Sequence, residues 1–364
     1  MKLSTPLSEA FGLSTPIIQA PMAGGPASQD LVAACCAAGA LGSFGFAYTQ
    51  PGEMKKQSAW VRAQTDRPFG INLFTSPQPG LIDSAAQRGA LEAVAGYYRE
   101  LGLPAPEPVR APYAPDLAAQ LDAVAEIAPK VFTVHLSDLP VEKLEKLKES
   151  NILVGGSATC VAEAQRLEAL GFDFVIAQGG EAGGHRGSYL SDPYQSLTGT
   201  LALVRLVVGA VKLPVVAAGG IMDGAGIAAC LALGAQAAQL GTAFIPCPES
   251  GAAQIYKDLL LKQTEDRTRL TEKFSGKPAR GLTNRFIEEM ASREAPQLAF
   301  PAQNSLTGKL RQAAAKAGKP DFVALWAGQA TPLSRALPAA ELVATLSAET
   351  VASIETLKGI VHET

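Results

Sequence analysis

The chain has 364 residues, of which 47% are hydrophobic and 18% are charged, and its formal net charge is -3 at pH 7. These values exclude a disordered chain, and the lack of a basic block argues against a nucleic-acid partner. Glycine, proline or charged residues interrupt the apolar stretches before they reach the length of a membrane span, so no membrane partner is expected. The first residues lack the apolar core of a signal peptide.

The five cysteines bear on the cellular compartment. Cys35, Cys36, Cys160, Cys230 and Cys247 show no CxxC spacing, their number is odd, and most lie in apolar patterns. Such cysteines are typical of buried free thiols rather than of disulfides or a metal site. The sequence therefore predicts no metal ion and a reducing, cytoplasmic location.

Strand and helix patterns alternate along most of the chain. Eight segments begin with a short apolar strand pattern, at residues 16–25, 40–45, 67–74, 131–135, 152–156, 172–177, 214–220 and 237–244. Helix patterns lie at residues 28–39, 51–64, 81–101, 116–128, 142–148, 160–170, 198–211, 223–233, 252–262, 306–317 and 339–357. Eight alternating units predict a (β/α)8 TIM-type barrel. A doubly wound sheet is the alternative, but the turn at residues 22–26 fits its GxGxxG motif poorly.

Two segments interrupt this alternation. Residues 75–115 hold seven prolines and are too long for a simple connection. We therefore predict a barrel from residues 1–74 and 116–250, with 336–364 packed on it. The remaining segments, 75–115 and 251–335, are predicted to form a lid that covers the substrate.

A glycine-rich loop follows the strand at 172–177. It carries Glu181, His185 and Arg186 at the end of a buried strand, where α/β enzymes place reactive groups. An imidazole suits proton transfer near neutral pH, so His185 is the predicted catalytic residue. An ion pair between Glu181 and Arg186 that props the loop is favoured over substrate binding by Arg186. His135 lies at the end of another strand, and the sequence does not decide whether it is a core residue or part of the site.

The loops after the seventh and eighth strands predict an anion site. Residues 219–224 and 239–242 are rich in glycine and, in the first case, precede a helix that begins near Asp223. Barrels commonly bind a phosphate there, through free amides and the helix dipole. The alternative is that the glycines only permit tight packing. Asp223 is predicted to be a helix N-cap rather than a catalytic acid.

Several motifs together resemble those of one family. They are PMAGG at 21–25, RPFGINLF at 67–74, GEAGGHRG at 180–187, GTAF at 241–244 with Glu249-Ser250, SGKPARG at 275–281 and WAGQ at 326–329. Nearly the whole chain resembles bacterial class I nitronate monooxygenases, formerly called 2-nitropropane dioxygenases. The resemblance implies an FMN-containing barrel with a lid. It also implies oxidation of alkyl nitronates, notably propionate 3-nitronate, by O2 through a flavosemiquinone, with a carbonyl product and nitrite release.

The resemblance also implies site residues. His185 matches the active-site histidine. The positions that match FMN contacts are Met22, Asn72, Gln178, Gly183, Gly220, Gln239, Leu240, Gly241 and Thr242. Expected substrate-cavity residues are Tyr113, Tyr256, Phe300 and Lys309. At Phe300 the family would have a tyrosine, so the missing hydroxyl is expected to shift substrate preference.

Two other functions share this fold and these motifs. The first is an NAD(P)H-dependent FMN reductase of quinones or enoyl thioesters. The second is a flavin-binding store or sensor, which the clustered polar loop and the lid argue against. The sequence leaves open the physiological substrate, the use of neutral nitroalkanes, and a monomer or a dimer as the oligomeric state.

Overall fold

Eight parallel strands form a closed barrel in the computed structural model, which describes residues 3–77, 79–80, 82–293 and 296–360. Each strand pairs with its neighbour in one continuous parallel sheet. The first and second strands close the ring, because the Gln19 amide donates to the Leu41 carbonyl at 2.9 Å and the Leu41 amide donates to the Ile17 carbonyl at 3.0 Å. The predicted TIM-type barrel is confirmed, and the open doubly wound sheet is excluded.

The strands of the chain are β1 Ile17–Gln19, β2 Gly42–Gly45, β3 Phe69–Phe74, β4 Val131–His135, β5 Leu153–Ala158, β6 Phe174–Gln178, β7 Gly184–His185, β8 Val215–Ala218, β9 Ala237–Leu240, β10 Thr268–Thr271 and β11 Ala279–Leu282. The helices are α1 Pro6–Phe11, α2 Gln29–Ala37, α3 Pro51–Gln64, α4 Ser84–Glu100, α5 Leu117–Ile127, α6 Val141–Glu149, α7 Val161–Leu170, α8 Thr200–Ala210, α9 Gly224–Ala232, α10 Gln254–Leu261, α11 Arg285–Ala291, α12 Ala302–Lys316 and α13 Ala339–Lys358. All strands except β7, β10 and β11 belong to the barrel.

Three helix starts agree with the sequence signals, whereas α12 begins four residues before its predicted start and the predicted start at residue 81 lies outside the described residues. The Ser28 hydroxyl accepts a hydrogen bond from the Leu31 amide at 3.1 Å and caps α2. Helix α3 begins at Pro51, a position where its missing N–H has no helical partner to lose. The Asp223 carboxylate accepts from the Gly226 amide at 2.8 Å, which confirms its predicted role as the N-cap of α9.

Helix α1, which packs against the interior of the barrel, was not predicted. A capping box between Thr5 and Ser8 starts this short helix. Its Phe11 ring lies 5.1 Å from the ring of Phe174, in edge-to-face contact inside the barrel. Six residues are too few for a clear helical periodicity, so tertiary packing rather than local pattern stabilises this helix.

A small antiparallel sheet was also not predicted. Strands β10 and β11 form a hairpin, and β7, only two residues long, pairs with β11. The register places Ala279 opposite His185 and Arg280 opposite Gly184. The lid hairpin therefore continues into the glycine-rich loop of the barrel and fixes the backbone of His185.

The described residues form three apolar cores. One lies between the barrel strands and their helices, one lies inside the barrel against α1, and one joins α4, α10, α11 and α12 in the lid. Met22 packs against the first and the last of these cores. We propose on this basis the division into barrel and lid that the sequence predicts. Within the described ranges, no helix has the length and apolarity needed to cross a membrane.

The C-terminal helix α13 docks on the barrel through a half-buried polar contact. Arg335 pairs with Glu349, whose second oxygen accepts from the Gly224 amide at 3.0 Å. Gly224 has no room for a side chain, because an added Cβ would lie 2.3 Å from the Glu349 Cβ. A glycine at the start of α9 therefore permits the close approach of α13.

Candidate active site

The loop between β6 and β7 is fixed by side chains that bond to its own backbone. Gln178 donates to the carbonyl of His185 at 2.9 Å and accepts from the amide of Gly187 at 2.8 Å. The fully buried guanidinium of Arg186 donates to the carbonyl of Gly179 at 2.6 Å and to that of Ser196 at 2.7 Å. Since buried polar groups need partners, this network holds the loop in one conformation.

The predicted ion pair between Glu181 and Arg186 does not form. Glu181 instead accepts from the amide and hydroxyl of Thr200, both at 2.8 Å, at the first turn of α8. A helix N-terminus favours a carboxylate because its amides are free and its dipole is positive. Both residues support the loop, but Arg186 does so through carbonyl groups and Glu181 through a helix.

The ring of His185 lies in an aromatic enclosure formed by Phe74, Phe300 and Trp326. The ring centroids lie 5.4, 5.6 and 5.7 Å from that of His185, respectively. The His185 Nε2 atom lies 2.9 Å from the Ser275 hydroxyl. Burial lowers the pKa of His185 to about 3, and the nearby His135, Lys277 and Arg311 act in the same direction. The imidazole is therefore neutral at physiological pH and able to accept a proton.

His135 supports the backbone of His185 rather than facing the substrate side of its ring. Its Nε2 atom lies 3.0 Å from the His185 carbonyl, and its Nδ1 atom lies 2.8 Å from the Ser157 hydroxyl. A carbonyl can only accept, so Nε2 carries the proton of a neutral ring and Nδ1 accepts from Ser157. Burial lowers the pKa of His135 to about 4. Both ring nitrogens are committed, which resolves the open question in favour of a supporting role.

Free backbone amides lie in the loops that follow the neighbouring strands β8 and β9. The amides of Gly220, Gly241 and Thr242 donate to none of the residues that the structure describes. The Thr242 hydroxyl accepts from the Gly328 amide at 3.0 Å, so its own proton remains available. A cleft of about 410 Å³ opens beside Gly219 and Gly220. These donors fit a phosphate group.

The first turn of α9 contributes less to this site than the sequence suggests. The Gly226 amide bonds to Asp223 and the Gly224 amide bonds to Glu349. Two protein carboxylates therefore occupy the helix N-terminus. In this turn only the Ala225 amide donates to none of the described residues, so most of the amides left for a ligand belong to the glycine loops that precede α9 and follow β9.

The other predicted cofactor residues occupy the barrel mouth in different ways. Asn72 donates to the Thr133 hydroxyl at 2.9 Å and to the Thr133 carbonyl at 3.1 Å. Gln239 and Leu240 lie at the end of β9 beside the closing strand β1. Gly183 is required by protein packing, because an added Cβ would lie 2.6 Å from the backbone of Ala327.

Of the predicted substrate residues, Phe300 lies in the aromatic enclosure. Tyr256 is buried in the lid core and its hydroxyl donates to the Trp326 carbonyl. Tyr113 packs at the edge of the lid core. These placements keep the three aromatic residues on the lid side of the molecule.

The predicted position of Lys309 in the substrate cavity is wrong. Its side chain is 74% exposed and lies 3.5 Å from Glu107, on the outer face of α12. The inner face of this helix carries Leu306, Thr307 and Leu310. Arg311 is four residues beyond Thr307 and donates to its hydroxyl at 3.2 Å. The helical period of 3.6 residues could have identified Arg311 as the inward cation.

The described residues hold no cluster of histidine, cysteine and acidic side chains that could bind a metal ion. The four cysteines Cys35, Cys36, Cys230 and Cys247 are buried, Cys160 is half-buried, and all five are free thiols. Burial raises the pKa of the Cys247 thiol to about 12, so it is protonated and unreactive. The reactive groups of the site are therefore those of the mouth of the barrel.

Proteins of known family match this chain over nearly its whole length. A family model described as nitronate monooxygenase matches residues 5–349. A nitronate monooxygenase of Paraburkholderia phytofirmans is 43% identical over 351 residues, covering 96% of this chain and 95% of the relative. A nitronate monooxygenase of Pseudomonas aeruginosa is 42% identical over 342 residues, covering 93% of this chain and 97% of the relative.

A solved structure agrees in fold and in sequence. Nitroalkane oxidase from Streptomyces ansochromogenes is 41% identical, with a TM-score of 0.89, and the match covers 97% of this chain and 100% of that chain. The match includes the barrel, the lid and the loop that carries His185. The chain therefore belongs to the nitronate monooxygenase family, whose members are flavin-dependent oxidoreductases.

Proposed function

We propose that the chain binds FMN and oxidises alkyl nitronates, notably propionate 3-nitronate, with O2, giving a carbonyl compound and nitrite. The observation that carries this proposal is the neutral imidazole of His185 in a buried aromatic enclosure at the barrel mouth. Such a site excludes water and offers one polar group that can exchange a proton. We propose a cytoplasmic location and a monomer or a dimer.

The glycine loops support FMN as the flavin. Gly220, Gly241 and Thr242 would hold the phosphate through three free amides and one hydroxyl proton. Met22, which touches both the barrel core and the lid core, would lie against the isoalloxazine ring. When bound, FMN supplies the electron transfer between substrate and O2. The protein supplies the phosphate site, the enclosure and the histidine.

The surroundings of His185 favour an anionic substrate over a neutral one. Burial, together with the nearby cations Lys277 and Arg311, holds the imidazole neutral. An anion bound beside the ring would offset that charge. A histidine whose pKa is well below 7 removes a carbon-bound proton from a neutral nitroalkane inefficiently. Nitronates, which are already deprotonated, fit this site better.

Arg311 supports a substrate with a second anionic group. It donates to Asn304 and Thr307, and the structure records no ion pair between Arg311 and a described carboxylate. The hydroxyl of Tyr48 interacts electrostatically with Arg311. This hydroxyl is buried and has no hydrogen-bond partner among the described residues. Buried cations are normally compensated by an anion. The carboxylate of propionate 3-nitronate would supply it.

The alternative is an NAD(P)H-dependent FMN reductase of quinones or enoyl thioesters on the same fold. One experiment separates the two functions. The purified protein is examined by absorbance spectroscopy, and propionate 3-nitronate and NADH are added separately under anaerobic conditions. A flavin spectrum that changes with the nitronate and not with NADH supports the proposal.

The opposite pattern would favour the reductase and leave the fold unaffected. A protein that cannot be reconstituted with FMN would remove the cofactor proposal. Nitrite release measured with O2 readmitted then tests turnover. A protein that holds FMN at a 1:1 ratio but shows no turnover with either addition would favour a flavin store.

A further inference from the structure

Ser275 lies where the lid reaches His185. It occupies the turn between β10 and β11, it is 1% exposed, and its hydroxyl lies 2.9 Å from the His185 Nε2 atom. The pairing of Ala279 with His185 fixes the distance between this turn and the histidine. At Gly276 the turn has a φ of +84°, and an added Cβ would lie 2.5 Å from the Leu298 carbonyl oxygen. The position of Ser275 is therefore determined by backbone on two sides.

The hydrogen bonds of Ser275 determine where the protons lie. Its hydroxyl donates to the Lys277 carbonyl at 2.9 Å, and a carbonyl can only accept. A serine hydroxyl has one proton, so its oxygen must accept from His185. The Nε2 atom of His185 is then the donor, and the neutral ring carries its proton there.

The other ring nitrogen of His185 is left free. Among residues within the described ranges, none makes a hydrogen bond to Nδ1. The three rings of the aromatic enclosure pack around the imidazole, and they offer no strong hydrogen-bond donor or acceptor at its edge apart from the indole N–H. His135 differs, because both of its ring nitrogens have partners.

We propose that Ser275 is a positioning residue that holds His185 in its Nε2–H tautomer and makes Nδ1 the atom that exchanges a proton with the substrate. The proposal rests on the proposed function for the identity of the substrate. With a neutral nitroalkane, the carbon-bound proton moves to Nδ1 and its electron pair enters the nitro group. With a nitronate, the ring takes up one proton from solvent at Nδ1 as the anion binds.

Both substrates therefore lead to the same pair of ions, an imidazolium and a nitronate. Ser275 remains a suitable partner in that state, because Nε2–H still donates to its oxygen. The groups that act electrostatically on the ring are His135 from β4, Lys277 from the β10–β11 turn and Arg311 from α12. Burial opposes protonation of the ring, and these groups act in the same direction, so proton uptake requires the bound anion.

The tautomer can be measured directly in the flavin-loaded protein. The chain has only three histidines, so selective 15N labelling of the imidazoles gives a simple long-range 1H–15N correlation spectrum. We expect the spectrum of His185 to show a proton on Nε2 and none on Nδ1. Ser275→Ala is expected to abolish this fixed pattern, and Ser275→Thr, which keeps the hydroxyl, to preserve it.

Ser157→Ala is the matched control, because Ser157 is a buried serine that hydrogen-bonds to His135, the neighbouring histidine, rather than to His185. It should change the signals of His135 and leave the tautomer of His185 as it is. In kinetics with nitroethane, Ser275→Ala should lower kcat by about tenfold or more with little change in KM.

A proton on Nδ1 in the unsubstituted protein would overturn the proposal even if no variant folds. An unchanged His185 spectrum in a folded Ser275→Ala variant would do so as well. Neither result depends on turnover. If His185 carries its proton on Nε2 but nitronates do not change the flavin spectrum, the proposed function is rejected and the role of Ser275 still stands.

Discussion

The two ends of the candidate site are built in different ways. At the phosphate end, the donors are backbone amides of short glycine loops, at Gly220 and at Gly241-Thr242. At the histidine end, side chains from the barrel, the β10–β11 turn and α12 meet around one ring. A site built from backbone amides is therefore encoded locally, whereas a site built from side chains depends on the packing of distant segments.

The largest expected effect is at the histidine end. His185→Asn keeps a polar side chain but removes the basic nitrogen, so turnover of a neutral nitroalkane should fall by about a hundredfold or more. FMN content, measured by absorbance, should stay at the level of the unsubstituted protein, because the phosphate end is separate. Full turnover of the nitroalkane by this variant would rule out proton transfer by His185.

A glycine substitution tests the phosphate end. Gly220 has a φ of +69°, and an added Cβ would lie 3.1 Å from the Glu181 Cβ. Gly220→Ala should therefore weaken FMN binding roughly tenfold, since a strained backbone costs about 1–3 kcal/mol. Fluorescence titration with FMN measures the change.

Gly52→Ala is the matched control, because Gly52 has open space around it and an ordinary φ. It should bind FMN as the unsubstituted protein does. Equal affinity in Gly220→Ala and Gly52→Ala would contradict a backbone phosphate site at Gly220.

Two cations on different faces of α12, Lys309 and Arg311, test the substrate assignment. Arg311→Met should lower kcat/KM for propionate 3-nitronate by about tenfold, because a hydrogen-bonded charge pair contributes roughly 1.5–3 kcal/mol. Lys309→Met should have little effect, since this side chain is exposed and faces Glu107. Steady-state rates of nitrite release compare the two variants.

A nitronate of the same length without a carboxylate shows which group of the substrate Arg311 binds. If Arg311 binds the carboxylate, Arg311→Met should affect that substrate much less than propionate 3-nitronate. An equal loss for both substrates would place the nitronate group, rather than the carboxylate, at Arg311.

The smallest expected effect concerns stability and pH. The folded pKa values of His135 and His185, about 4 and about 3, lie below the usual value of 6.5. The unfolded chain therefore binds protons first as pH falls, and the free energy of unfolding decreases below pH 6.5. Each histidine should account for about 1 kcal/mol between pH 6.5 and 5.5.

Urea denaturation of the unsubstituted protein and of His135→Gln measures this slope. The variant should lose less stability over the same pH interval. Parallel pH profiles would show that His135 is not held neutral in the folded protein.

The amino-acid sequence was sufficient to predict the barrel, several of its helix starts and the glycine loops. Strand and helix periodicities and caps such as Ser28 and Asp223 act over a few residues, so local sequence specifies them. His185 was predicted because its loop is unusual in itself. The free amides at Gly220 and Gly241 follow from the same local pattern.

The set of side chains that contact His185 depends on the tertiary fold. Ser275 lies ninety residues beyond His185 and approaches it because β11 pairs with β7. The rotation of α12 selects Arg311 over Lys309, and packing replaces the predicted pair of Glu181 and Arg186 with separate partners. Contacts between distant segments depend on register, helix rotation and burial, and these quantities are set by the assembled core rather than by neighbouring residues.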